Sequence, residues 1–242
     1  MFVGVDGCKK GWFAVKLTDG LEWEVKVFED INALWAEFHD AAVILIDIPI
    51  GLKDEGLNER ECDVAARKLL GKKRASSVFR PPCRKAVHSP IDKASKINFN
   101  LTKRQLPLQT LNILSKIGEV DALLSKDKSA RQIIREIHPE ICFWALSGGR
   151  PMQYSKKKQD GFFERESILR SVCPNTEAIV NETLTAYRRS GVARDDIIDA
   201  LAVAVTAKIG FNRLLTIPEI PQIDSKGLRM EMVYFDLKGP GK

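Results

Sequence analysis

Phe2-Val3-Gly4-Val5-Asp6-Gly7-Cys8-Lys9-Lys10-Gly11-Trp12-Phe13-Ala14-Val15-Lys16-Leu17 opens the chain with two apolar runs and a tight turn between them. Both runs read as strands. Thr18-Asp19-Gly20 is a hairpin signal, and Leu21 to Phe28 alternates like a third strand. Asp30 then stands where a helix N-cap belongs, with Ile31, Leu34, Trp35 and Phe38 following at helical spacing. Val43-Ile44-Leu45-Ile46 is too apolar for an edge strand and reads as a buried, parallel one, closed by Asp47-Ile48-Pro49-Ile50-Gly51.

A three-strand meander, a helix and a buried strand are how a ribonuclease-H-like sheet begins. The expected fold is therefore α/β: a mixed sheet, antiparallel in its meander and parallel beyond it, flanked by helices. The expectation is one domain over residues 1–242, with a helical and loop insertion over 53–128 after the fourth strand. Working outward, Leu57 to Leu70 reads as an amphipathic helix stopped by Gly71, Lys72 to Pro90 as a basic loop, and Leu108 to Leu124 as a helix. Ile133 to His138 reads as a fifth strand stopped by Pro139, and Ser155 to Gly161 as a lysine-rich loop. Helices are expected over about Phe162 to Val172 and Glu177 to Ser190, and a last one from Asp195 or Asp196 to about Ile209. Leu228 to Phe235 reads as a final strand.

Four of these features converge on chemistry. Asp6 ends an apolar strand, and alternation puts Phe2, Gly4 and Asp6 on one face. Asp47 ends the buried strand in the same way. A carboxylate so placed needs a metal, a cation or several hydrogen bonds. In Asp195-Asp196-Ile197-Ile198-Asp199-Ala200-Leu201-Ala202, Asp196 and Asp199 share one helix face. Capping and the helix dipole explain an aspartate at 195 or 196. They explain Asp199 poorly, because it lies beyond the cap in a small, apolar helix. Glu136 and His138 alternate onto one face of the fifth strand. The candidate catalytic set is Asp6, Asp47, Glu136, Asp196 and Asp199, with Asp6, Asp47, Asp196 and Asp199 as metal ligands. An all-oxygen set selects hard ions, so Mg²⁺ or Mn²⁺ is the expected cofactor. Two such ions suit phosphodiester cleavage.

The net charge of +6 permits a polyanionic partner, DNA or RNA, without requiring one. Ser76, Ser77, Arg80 and Arg84 lie in an ordered-looking basic loop and are candidate phosphate contacts. Lys156 to Lys158 read better as solvated surface lysines. Five scattered cysteines without a Cys-x-x-Cys pair argue against a zinc cluster or disulfide framework and suit a reducing cytoplasm. No secretory signal or membrane span is visible, so a soluble, cytoplasmic protein is expected.

Gly4-Val5-Asp6-Gly7-Cys8-Lys9-x-Gly11-Trp12, Asp47-Ile48-Pro49-Ile50-Gly51-Leu52, Ser76-Ser77-Val78-Phe79 and Glu136-Ile137-His138-Pro139-Glu140-x-Cys142-Phe143 resemble the domain-of-unknown-function family 429 (DUF429). The resemblance runs from Met1 to about Ile209 and implies a nuclease of ribonuclease-H-like fold. The last helix also resembles that of bacterial Holliday-junction resolvases, which carry Asp-x-x-Asp-Ala-x-Ala at a metal site. That likeness implies Asp6, Asp196 and Asp199 as ligands, with Asp47 near the place of a central-strand acid. Two rival readings remain. A phosphotransferase of the actin-like superfold would need a second glycine-rich phosphate loop, for which Gly148-Gly149 is the candidate. A non-catalytic nucleic-acid-binding or scaffold protein would keep the acids as a relic.

Overall fold

The computed structural model describes residues 1–187 and 191–237. Strands β1 (Phe2–Cys8), β2 (Gly11–Leu17) and β3 (Trp23–Phe28) form the meander, and α1 (Ile31–Phe38) and β4 (Val43–Ile46) follow. Helices α2 (Glu61–Arg74), α3 (Arg84–Val87), α4 (Ile91–Thr102), α5 (Leu108–Asn112), α6 (Leu114–Lys126) and α7 (Lys128–Ile133) precede β5 (Ile134–Glu136). Then come α8 (Pro139–Leu146), α9 (Gln159–Val172), α10 (Thr176–Ala186), α11 (Arg194–Gly210) and a hairpin of β6 (Leu215–Ile223) and β7 (Arg229–Tyr234). Among the described residues no helix is long and apolar enough to cross a membrane.

The main sheet has the order β3-β2-β1-β4-β5. Its meander is antiparallel, while β4 runs parallel to β1 and β5 parallel to β4. This is the mixed, ribonuclease-H-like sheet that the alternation and the buried Val43–Ile46 run predict. Asp30 caps α1 by accepting from the N–H groups of Asn32 (2.8 Å) and Ala33 (2.9 Å).

Alternation divides the core in two. Phe2, Phe13, Val15, Val43 and Leu45 pack against α8 to α11 on one face. Val3, Val5, Trp12, Ala14, Ile44 and Ile46 pack against α1 and α6 on the other. Helix α11 lies on the first face, against β1. Its Ala200-Leu201-Ala202-Val203-Ala204-Val205 run is buried all round, as a helix enclosed by protein must be. The approach is close because β1 carries glycine there. A Cβ on Gly4 would stand 2.1 Å from the Ala204 amide nitrogen and 2.4 Å from the Ala200 carbonyl oxygen. Phe2 meets Phe211, just past the end of α11, with ring centroids 5.4 Å apart. The helix therefore runs antiparallel to β1 and brings its acidic start to the end of the strand where Asp6 lies.

Several boundaries differ from expectation. The helix expected from Leu57 starts at Glu61, and Gly71, at φ 64°, interrupts it where the sequence signals a stop. The single helix expected over Leu108–Leu124 is broken at Ile113 into α5 and α6. The fifth strand is only Ile134–Glu136, because α7 occupies the residues before it and α8 begins at Pro139. Residues 188–190 of the helix expected to reach Ser190 lie outside the described residues. Gly148 and Gly149 both take positive φ in the turn that ends α8, where their amides bond back to Ala145 and Trp144 (3.0 and 2.8 Å). They terminate a helix there and do not form a phosphate loop.

Candidate active site

Strand register sets the site. Val5 pairs with Ile46, so the next residues, Asp6 and Asp47, emerge side by side where the parallel pairing of β1 with β4 ends. The Asp47 amide donates to the Val5 carbonyl at 3.0 Å, which extends the pairing to that point. Both lie on the parity of the α11 face, and α11 adds Asp199. These three carboxylates line one cleft of about 560 Å³ together with Glu140, His138 and Lys156. Asp6 is 8% exposed and Asp199 2%.

The acids are crowded, with Asp6 and Asp199 buried and Asp47 half-buried. Burial pushes the Asp6 carboxyl well above the usual range, and the charges of Asp47 and Asp199 push it further, against the pull of Lys156. Asp47 is raised chiefly by burial, with His138 and Lys156 opposing and Asp199 and Glu140 adding to the rise. Asp199 is raised by burial against its ion pair with Lys156. The Lys156 ammonium is held charged by Asp199, Asp6 and Asp47 despite its own desolvation.

Lys156 was expected at the surface and instead reaches the cleft floor. The reason lies in α9. A Cβ on Gly161 would stand 2.0 Å from the Ser155 carbonyl oxygen, so glycine lets the Ser155–Lys156 backbone lie directly on the helix. Glu140 is a second residue the sequence reading did not single out. It sits in the first turn of α8, whose N-cap is His138; the Glu140 amide donates to His138 Nδ1 at 3.2 Å. Buried Arg165 holds one Glu140 oxygen, while the other, Oε2, is buried with no hydrogen-bond partner. The signal available was position: α8 starts at the same sheet end as Asp6 and Asp47.

Asp196 is spent differently. It is the third residue of α11, and its Oδ2 accepts from the Ala193 amide at 2.8 Å, as the acid of a capping box does. Burial lifts its carboxyl to about 6, against that hydrogen bond and with help from Asp195. It acts on Asp6 and Asp199 only through its charge, and it does not line the cleft.

Glu136 is a correction. It pairs with Ile46, not Asp47, and so faces the opposite side of the sheet. There it accepts from the Ile50 amide (2.6 Å) and from both Arg60 terminal nitrogens (2.8 Å each), while Arg60 also grips Asp63 and the Ile50 carbonyl. Glu136 fixes the loop that follows Asp47 and is not part of the cleft. Alternation along one strand does not fix its register against the next, and His138, expected on the same face, has already left the strand to cap α8 and lines the cleft instead.

The arginines are a second correction. Arg84 is buried and binds Asp121 (3.0 Å), Asp224 and Ser225 (2.9 Å), joining α3 to α6 and to the β6–β7 turn. Arg80 donates to the carbonyls of Gly56, Leu57 and Asn58 (3.0 to 3.3 Å). Neither lines the cleft. Ser76 and Ser77 do, and the basic groups around them are Lys73, Arg74, Lys116 and Lys157. Ser77 offers its backbone carbonyl to His138 Nε2 at 3.3 Å and donates its hydroxyl to the Arg74 carbonyl at 2.8 Å.

The donor chemistry of Asp6, Asp47, Asp199 and the unpartnered Glu140 oxygen fits a hard divalent cation. The acids do not stand as a ready coordination shell. Among the described residues no three His, Cys, Asp or Glu side chains form a group that could hold an ion as placed, and the Lys156 ammonium supplies the positive charge.

The family model described as "Protein of unknown function (DUF429)" matches residues 4–222. No curated protein and no solved structure matches.

Proposed function

We propose that this chain, which belongs to the protein-of-unknown-function family DUF429, hydrolyses phosphodiester bonds of nucleic acid with Mg²⁺ or Mn²⁺. The observation that supports this reading is the meeting of Asp6, Asp47 and Asp199 in one cleft with an acidic floor and a basic rim. An acidic floor alone would repel a phosphate, and a basic rim alone would bind one without chemistry. Together they suit a polyanion that meets a cation at the floor.

Asp6, Asp47 and Asp199 would hold the ion, with Glu140 as a further oxygen donor. When bound, it would supply charge neutralisation at the phosphoryl oxygens and activation of water. The chain's own groups do the rest. Lys73, Arg74, Lys116 and Lys157 attract and orient the phosphate chain. Lys156 neutralises Asp199, a role that a bound divalent ion would take over.

The Lys156–Asp199 pair also favours the second reading, a non-catalytic nucleic-acid-binding protein whose acids are permanently neutralised from within. One experiment separates the two. Labelled single-stranded, duplex, hybrid and branched nucleic acids are incubated with protein in Mg²⁺, Mn²⁺ or EDTA. Cleavage that requires metal and is lost in Asp6→Asn supports hydrolysis. Binding without cleavage in either metal supports the second reading.

A further inference from the structure

We infer that nucleic acid enters this cleft as a single strand, with a base stacked on Phe79, and that duplex is excluded. This rests on the reading of the cleft as a phosphodiesterase site. The floor lies deep: Asp6, Asp199 and Glu140 are all buried. Walls rise on both sides of it. One wall is the end of α2 with the turn after it and the start of α6, bringing Lys73, Arg74, Phe79 and Lys116. The other is the loop before α9, bringing Ser155, Lys156 and Lys157.

The walls are tied together. Lys73 Nζ donates to the Gln153 side chain at 2.5 Å, Arg74 Nε to the Met152 carbonyl at 2.8 Å, and Arg74 also to the Tyr154 carbonyl. The cleft is thereby closed at that side and is a pocket there, not a through-groove. Its volume of about 560 Å³ falls in the range of small-ligand sites. A duplex is stiff and carries its phosphates on the outside of a wide rod, so it cannot lower one of them between such walls. A single strand can turn its backbone inward.

Phe79 supplies the stacking platform. It lines the pocket half-buried, beside Val78, which is buried against Cys62, Ala66 and Leu70 and whose carbonyl accepts from Arg67 at 3.0 Å. The ring is thus anchored from its backbone yet open on the pocket side. Cationic groups along a backbone path plus an aromatic platform are the means by which single strands are held without sequence preference.

The test is fluorescence anisotropy with a labelled single strand of about 12 nucleotides and a blunt duplex of the same sequence, each in Ca²⁺ and in EDTA. Single-strand affinity at least tenfold above duplex affinity is expected. Phe79→Leu, which keeps apolar volume for folding but loses the ring face, is expected to weaken single-strand binding about 5- to 150-fold. Phe79→Trp is expected to retain it. Equal or tighter duplex binding, or unchanged binding by a folded Phe79→Leu, overturns the inference. Hydrolysis of bis(4-nitrophenyl) phosphate by the wild type in Mn²⁺ reads the chemistry without any strand. Its absence would overturn the phosphodiesterase reading, while the binding arm decides the single-strand inference in either case.

Discussion

Replacing Lys156 with methionine keeps the side chain's length and removes the cation paired with Asp199. Removing one partner of a buried ion pair costs about 3–5 kcal/mol, because the other charge stays buried and unpaired. Asp199 meets that condition, but the Lys156 side chain is 39% exposed and its ammonium is partly screened. The cost falls to about 1–3 kcal/mol, or roughly 2–10 °C in melting temperature for a chain of this size. The pH dependence has a defined sign. Asp6, Asp47 and Asp199 already sit above their unfolded values, and loss of Lys156 raises them further. The folded state then holds protons that the unfolded state releases. Stability is fully present below the unfolded carboxylate pKa and is lost as pH rises through the folded values. The deficit of the variant is therefore small below the unfolded carboxylate pKa and grows as pH rises above it. A divalent ion that replaces the lost charge should restore the variant, so Mn²⁺ should raise its melting temperature more than that of the wild type. Differential scanning fluorimetry as a function of pH, with and without Mn²⁺, checks all three points. A variant that melts with the wild type at pH 8, or a larger Mn²⁺ shift in the wild type, would refute the account of Lys156 as the resident counter-cation.

Other expectations follow from the same geometry. Gly4→Ala forces α11 off β1 and should cost at least the roughly 1–3 kcal/mol of core overpacking, read by urea denaturation, while weakening Mn²⁺ binding because Asp199 moves with the helix. Asp196→Asn keeps an acceptor for the Ala193 amide, so it should leave Mn²⁺ affinity largely intact and remove the fall in stability that Asp196 contributes between about pH 4 and pH 6; loss of Mn²⁺ binding equal to that of Asp199→Asn would show a ligand, not a cap. Arg84→Ala leaves Asp121 and Asp224 buried without their guanidinium and should cost about 3–5 kcal/mol in chemical denaturation, with nucleic-acid affinity per folded molecule unchanged.

The sheet was legible because alternation and burial leave few choices. Phe2 to Leu17 alternate between two cores, and Val43–Ile46, apolar on both sides, had to be internal. Asp6, Asp47 and Asp199 were legible for a related reason: each breaks an apolar run where only a special environment tolerates a charge. What failed depended on parity or on distant partners. Glu136 was misplaced because its side of the sheet is set by the register of β5 against β4, which alternation along a single strand does not reveal. Arg84 and Arg80 have the composition of phosphate ligands, but their partners lie far along the chain, at Asp121 and Asp224, or are backbone carbonyls that no side-chain pattern reveals. Lys156 was hidden in a run of three lysines. Gly161, at the start of a helix where glycine is otherwise unfavourable, was the available clue that a backbone lies against it.

If Asp6, Asp47 and Asp199 form a cation site, Lys156 must withdraw from Asp199 when the ion binds. Anomalous diffraction at the manganese edge, from crystals of the protein grown with MnCl₂, tests it directly. The account predicts an anomalous peak bonded to oxygens of Asp6, Asp47 and Asp199, with the Lys156 ammonium displaced from Asp199. An intact Lys156–Asp199 pair at saturating Mn²⁺, with no peak in the cleft, would contradict it.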